Sequence, residues 1–153
     1  MQIVLDPEIK AGDDAAIIAG LVAYNDAQTG LNQPDGRISI LLKNDAGTTE
    51  GGLVARYYYG WLFIELLFVP EHLRGQDYGT KLMAQAEQFA RDKKFDGLWV
   101  DTFAFQARGF YEKLGFTLFG EIKDYPPGHG RYFLQKRLSA SSTETGRSVA
   151  SPS

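Results

Sequence analysis

The chain has 153 residues and no cysteine, with 44% hydrophobic and 23% charged side chains, the composition of one soluble globular domain without disulfides or thiolate-bound metal. Its 16 Lys and Arg against 19 Asp and Glu leave a net charge of -3, which gives no general attraction to nucleic-acid phosphates or anionic lipid. No apolar run approaches the ~20 residues of a spanning helix, and Met1-Gln2-Ile3-Val4 is not a charged segment leading into an apolar one, so a cytoplasmic protein is expected, with neither nucleic acid nor membrane as partner.

Gln2 to Leu5 is short and apolar and is expected to form a strand. Asp13 and Asp14 then precede Ile17, Ile18, Leu21, Val22 and Tyr24, a spacing that fits a capped amphipathic helix. Between Gln28 and Gly36 the dipeptides Gln33-Pro34 and Asp35-Gly36 mark a loop. The β-rich segments Ile38–Leu42, Leu53–Tyr59 and Leu62–Val69 alternate with Asn44-Asp45-Ala46-Gly47 and with Gly60, which predicts an antiparallel meander.

After Pro70, Leu82, Ala86, Phe89 and Ala90 recur at helical spacing, so an amphipathic helix of about four turns is expected. Phe95 to Asp101 reads as a buried strand, Ala104 to Leu114 as a helix closed by Gly115, and Phe116–Glu121 with Arg131–Leu138 as two last strands. Residues 139–153 hold six Ser and one large apolar side chain, Val149, too little to fold on, so a disordered tail is expected after a single domain over 1–138. A meander plus one βαβ crossover gives an α+β domain of three layers.

Chemistry concentrates in the segment Ile64 to Thr80, where a buried strand runs through Glu71-His72-Leu73-Arg74-Gly75-Gln76-Asp77-Tyr78-Gly79 into the amphipathic helix. The first turn of a helix leaves about four backbone N–H groups unpaired, and with the positive end of the dipole these bind phosphate. Arg74 adds a forked charged donor, while Gly75 and Gly79 have no Cβ to hold an anion away. The Walker pattern fails for want of its Lys-Ser/Thr ending, and the Rossmann pattern fails on spacing. Nucleotide hydrolysis and hydride transfer are therefore disfavoured.

Arg74-Gly75-Gln76-Asp77-Tyr78-Gly79 resembles the R/Q-x-x-G-x-G/A pyrophosphate loop of the GNAT N-acetyltransferases, and Lys81-Leu82-Met83 continues the likeness. Ala107-Arg-Gly-Phe-Tyr-Glu-Lys-Leu-Gly-Phe116 is similar to the family's A-x-x-x-Y-E-K-L-G-F segment. The element order over residues 2 to 138 is also the family's. The resemblance implies a mixed, mostly antiparallel sheet whose parallel fourth and fifth strands splay apart between flanking helices. It implies acetyl-CoA as acyl donor, with pantetheine along Leu67, Phe68 and Val69 and pyrophosphate on Arg74, Gly75, Gln76, Asp77, Tyr78, Gly79 and Thr80.

Two positions depart from the family pattern: Asp77 stands where a loop glycine is usual, and Ala104 where an asparagine often contacts the cofactor arm. Weaker cofactor binding is expected from the first, and one lost contact from the second.

The implied reaction is direct acetyl transfer to the primary amine of a small molecule in a ternary complex, a backbone N–H at or beside Phe68 stabilising the oxyanion. An amine of pKa near 10 must lose a proton, for which Glu65 on the fourth strand is the first candidate and Asp101, ending the fifth, the second. By resemblance Tyr111 protonates the departing thiolate, while Tyr125 and His129 in the last loop border the acceptor. His72 and His129 are too far apart in sequence for a metal pattern, so no metal is expected. Homodimers through the terminal strands occur in the resembling family. A non-catalytic acyl-CoA sensor and a protein lysine or N-terminal acetyltransferase are the alternatives.

Overall fold

The computed structural model describes residues 1–31, 33–103, 105 and 107–138. The tail expected over 139–153 and the position of Ala104 lie outside these residues. The chain forms two compact units, Met1–Gln33 and Pro34–Ser153.

In the first unit Gln2 to Leu5 forms no strand, because a strand exists only through its ladder and no described segment pairs with these residues. The helix α1, Asp13–Thr29, forms as expected. Its N-cap is Gly12 in the left-handed region, with no side-chain cap. Asp13 and Asp14 lie instead inside the first turn, where their charge complements the helix dipole. Nor is the helix one-sided: the run Ala15, Ala16, Ile17, Ile18, Ala19 already places apolar side chains on every side of a turn.

The second unit contains β1 (Gly36–Lys43), β2 (Thr49–Tyr58), β3 (Trp61–Phe68), a 3-10 turn (Glu71–Leu73), α2 (Tyr78–Asp92), β4 (Gly97–Phe103), α3 (Arg108–Lys113), β5 (Thr117–Lys123) and β6 (Gly130–Arg137). The six strands form one sheet in the order β1-β2-β3-β4-β6-β5. Among the described residues only β3 and β4 run parallel, as the crossover through α2 requires. With the opening strand absent, β3 and β4 are the strands expected as fourth and fifth, and the α+β class stands.

Local sequence explains the turns. Asn44 Oδ1 accepts from the backbone N–H of Ala46 and Thr48, each at 3.0 Å, and closes the β1–β2 hairpin. Tyr59, expected as the end of a strand, and Gly60 have φ of 47° and 76°, the signs of a two-residue hairpin that matches strand twist. β2 therefore ends at Tyr58.

The amphipathic helix appears where its period places it. Leu82, Met83, Ala86 and Ala90 of α2 are buried with Leu53, Leu62, Ile64, Leu98, Val100 and Leu134 of the sheet. Lys136 Nζ lies 2.8 Å from Glu87 of α2 and donates at 2.8 Å to the Leu114 carbonyl, tying β6 to α2 and to the end of α3. That helix begins at Arg108, with Ala107 as its N-cap, later than the Ala104 expected, and β4 runs on to Phe103, past the Asp101 expected.

Candidate active site

A bulge in β3 opens the sheet. Ala55 of β2 pairs with Ile64 and Val54 with Leu66, so Glu65 is the extra residue between them. Alternation reverses across it: Leu62 and Ile64 are buried before the bulge, whereas Leu67 packs on the core after it and Leu66 and Phe68 are exposed. Bulges bend a strand and end its pairing. Here the parallel ladder with β4 stops at Ile64 and Val100, although β3 runs on to Phe68 and β4 to Phe103.

The parted strands flank a cavity of about 1010 Å³ lined by residues of β3, β4, the Arg74 loop, α2 and α3. A Cβ on Gly51 would stand 2.6 Å from the Phe68 carbonyl oxygen, so that carbonyl points at β2. Neighbouring residues of an extended strand direct their amide groups to opposite sides, which turns those of Leu67 and Val69 toward the gap.

At one end the chain leaves β3 through Pro70 and the 3-10 turn. Arg74 Nε donates to the Val69 carbonyl at 3.2 Å, which holds the guanidinium on the cavity wall. Gly75 has φ 77° with open space where a Cβ would stand, so backbone conformation is what calls for glycine there. Gly79 has a different reason: its Cβ would meet Phe110 Cζ at 3.3 Å. Asp77 is the N-cap of α2 at φ 62° and makes no side-chain cap. The first intrahelical bond runs from Lys81 N to Asp77 O at 2.9 Å, which leaves the amide groups of the preceding residues without helical acceptors. Tyr78, Gly79 and Thr80 line the cavity with Asp77. Gln76 does not, because its side chain turns back to the His72 carbonyl at 3.3 Å.

Tyr111 projects from α3 into the cavity wall and is 7% exposed. Burial pushes its phenol up to about 12, and the negative charge of Asp101 adds to the shift. Strand alternation sets Asp101 on the sheet face opposite buried Val100 and Thr102. Asp101 Oδ2 accepts from Arg131 Nη2 at 2.8 Å, and Arg131 Nη1 donates to the Tyr125 hydroxyl at 3.0 Å. The guanidinium carbon also lies 5.2 Å from the ring centroids of both Phe103 and Tyr125. Glu65 is held at both oxygens, Oε2 by Arg37 Nη2 at 2.8 Å and Oε1 by Arg56 Nε at 3.3 Å.

The structure thus brings Glu65, Leu67, Phe68, Val69, Arg74, Gly75, Asp77, Tyr78, Gly79, Thr80, Asp101 and Tyr111 to one cavity. Tyr125 and His129 are not on its wall, but they touch it through Arg131, Phe103 and Phe105, the His129 ring lying 5.2 Å from Phe105. Sequence reading gives Arg131 no role, because a lone arginine carries no motif that would mark it, and it contains Phe110 only as part of the segment around Tyr111. Among the described residues no three His, Cys, Asp or Glu side chains gather as a metal site, and no helix is long and apolar enough to cross a membrane.

The profile of the Acetyltransferase (GNAT) family matches residues 13–116. An acetyltransferase of Agrobacterium fabrum is 40% identical over 139 residues, 90% of this chain and 100% of that protein. Blasticidin-S acetyltransferase of Streptomyces morookaense is 41% identical over 95 residues, 61% of this chain and 70% of that one. A crystal structure from Agrobacterium tumefaciens, described as an acetyltransferase, is similar at a TM-score of 0.84 and 38% identity, covering 90% of this chain and 100% of that chain. The family profile covers more than half of the chain and the Agrobacterium fabrum relative spans 90% of it, and the chain belongs to the GNAT family of acetyltransferases.

Proposed function

We propose that this acetyltransferase moves an acetyl group from acetyl-CoA to the primary amine of a small molecule, by direct attack within a ternary complex. The observation that carries the reading is the parting of β3 and β4 beyond Ile64 and Val100, with a helix N-terminus and Arg74 at one end of the gap and carboxylates at the other. The residues fit the donor. Arg74 and the free amides of the α2 start take the pyrophosphate, and the exposed edge of β3 takes the pantetheine arm. The N–H of Leu67 or Val69 then donates to the thioester oxygen as negative charge develops on it.

Asp101 is the better base. It keeps Oδ1 outside its ion pair, whereas both oxygens of Glu65 are engaged by guanidinium groups. The amine nitrogen bonds to the carbonyl carbon, its proton passes to Asp101 directly or through water, and the carbon–sulfur bond breaks. Glu65 positions the bulge. Tyr111, whose phenol burial pushes up to about 12, stays protonated and stabilises the departing thiolate by donating a hydrogen bond, and the proton that Asp101 takes from the nitrogen is passed on to the sulfur.

Release of free thiol from acetyl-CoA, followed against a panel of small amines and against lysine-bearing peptides, tests the reading. Steady turnover with small amines supports it. Turnover with peptides alone would make the protein a protein acetyltransferase, and cofactor binding without thiol release would make it an acyl-CoA sensor.

A further inference from the structure

The charges on the acceptor side of the gap do not suit a polycation. Asp101 is neutralised by Arg131, and Glu65 is shared by Arg37 and Arg56. Three guanidinium groups therefore face two carboxylates. The surplus lies at Glu65, because Arg37 of β1 and Arg56 of β2 are direct cross-strand partners. Like charges opposed in this way destabilise a sheet, and one carboxylate between them compensates half. Both arginine side chains are well exposed, at 68% and 60%, and stand outside the cavity lining, meeting it through Glu65, which is on the cavity wall.

Resting on the amine-acetylation reading above, we propose that the acceptor is a small amine that also carries a carboxylate, and that its anionic end docks on Arg37 and Arg56, the two partners of Glu65. A guanidinium pair is matched to a carboxylate by its planar fork of donors. The same surplus charge assists the chemistry, since neighbouring positive charge disfavours the ammonium form of the acceptor and raises the share of free amine that attacks the thioester. Arg37 and Arg56 are specificity-determining residues in this account.

The test compares aminohexanoate, hexylamine and diaminohexane as acceptors, by thiol release from acetyl-CoA, in the unaltered protein, in the double variant Arg37→Gln/Arg56→Gln and in Arg37→Lys/Arg56→Lys. The amino acid should exceed the diamine in kcat/KM by about tenfold or more, the equivalent of one charge-assisted contact. The Gln pair should reduce that ratio to below about threefold, chiefly through KM, and the Lys pair should retain part of it. Equal or faster turnover of the diamine, or a ratio that survives the Gln pair, would overturn the proposal while leaving amine acetylation in place. No thiol release with any of the three, in protein that acetyl-CoA still stabilises against heat, would overturn the amine reading itself and this proposal with it.

Discussion

Gly79, in the first turn of α2, lies against Phe110 of α3 so closely that a Cβ on the glycine would stand 3.3 Å from the ring. A glycine that sequence reading assigns to phosphate approach is therefore also a packing requirement between two helices. In Gly79→Ala a gain of about 1 kcal/mol in helix propensity is set against roughly 1–3 kcal/mol of overpacking. We predict a net loss of up to about 2 kcal/mol by urea denaturation. The same change in a Phe110→Ala background should be stabilising by about 1 kcal/mol. Additive effects in that double-mutant cycle would dissociate the two residues.

Asp77 is an αL residue at the start of α2 and lines the cavity. Asp77→Gly relieves left-handed strain of about 1 kcal/mol but adds a similar cost in unfolded-state entropy, so stability should hardly change. Affinity should change, because a carboxylate at the positive end of the helix leaves the space meant for phosphate. Calorimetric titration should show acetyl-CoA binding about threefold to tenfold tighter in the variant. An unchanged affinity would mean that the Asp77 carboxylate already turns away from the ligand.

Tyr111 has two separable signatures. As donor to the thiolate, Tyr111→Phe should lower kcat by about 10-fold to 100-fold with little change in KM for acetyl-CoA. Its raised pKa has a stability consequence as well. Below pH 10 both folded and unfolded phenols are neutral, and between about 10 and 12 only the unfolded one ionises, so stability falls as pH rises through that window, by roughly 2–3 kcal/mol. Denaturation of Tyr111→Phe should lose that part of the alkaline decline, and an identical decline would show the phenol to be solvated.

Among the described residues Asp101 keeps one oxygen outside its ion pair and Glu65 keeps none, which ranks the two carboxylates. Asp101→Asn should lower kcat by about 100-fold or more, within the range for a lost general base, and Glu65→Gln by less than about tenfold. Both should keep the thermal stabilisation by acetyl-CoA. The reverse ranking in kcat would return the role to Glu65, despite its two arginine partners.

Much of this was legible in the chain itself. The helical period of Leu82, Ala86 and Ala90 fixes α2, and Arg74, Gly75 and Gly79 around its start mark the loop, because both patterns are local. The bulge at Glu65 is not legible: Trp61 to Phe68 is apolar at nearly every position, so no alternation exists in the sequence whose reversal could be seen. Tyr59 likewise has high strand propensity and is overruled by the two-residue turn it must make. Arg131 gains its meaning only from the β4–β6 register, which sets it opposite Phe103 and within 2.8 Å of Asp101. The usual loop glycine at position 77 finds its reason in a φ of 62°, which the sequence alone does not display.

The central claim is that the Arg74 loop and the start of α2 hold acetyl-CoA. The direct measurement is the melting temperature with and without saturating acetyl-CoA, in the unaltered protein and in Arg74→Ala. A ligand present at about 100 times its Kd stabilises by roughly 2.7 kcal/mol, which for a chain of this size is a rise of about 5–10 °C. The account predicts that rise in the unaltered protein and its loss or strong reduction in Arg74→Ala. No rise at millimolar acetyl-CoA, or an equal rise in both proteins, would contradict it.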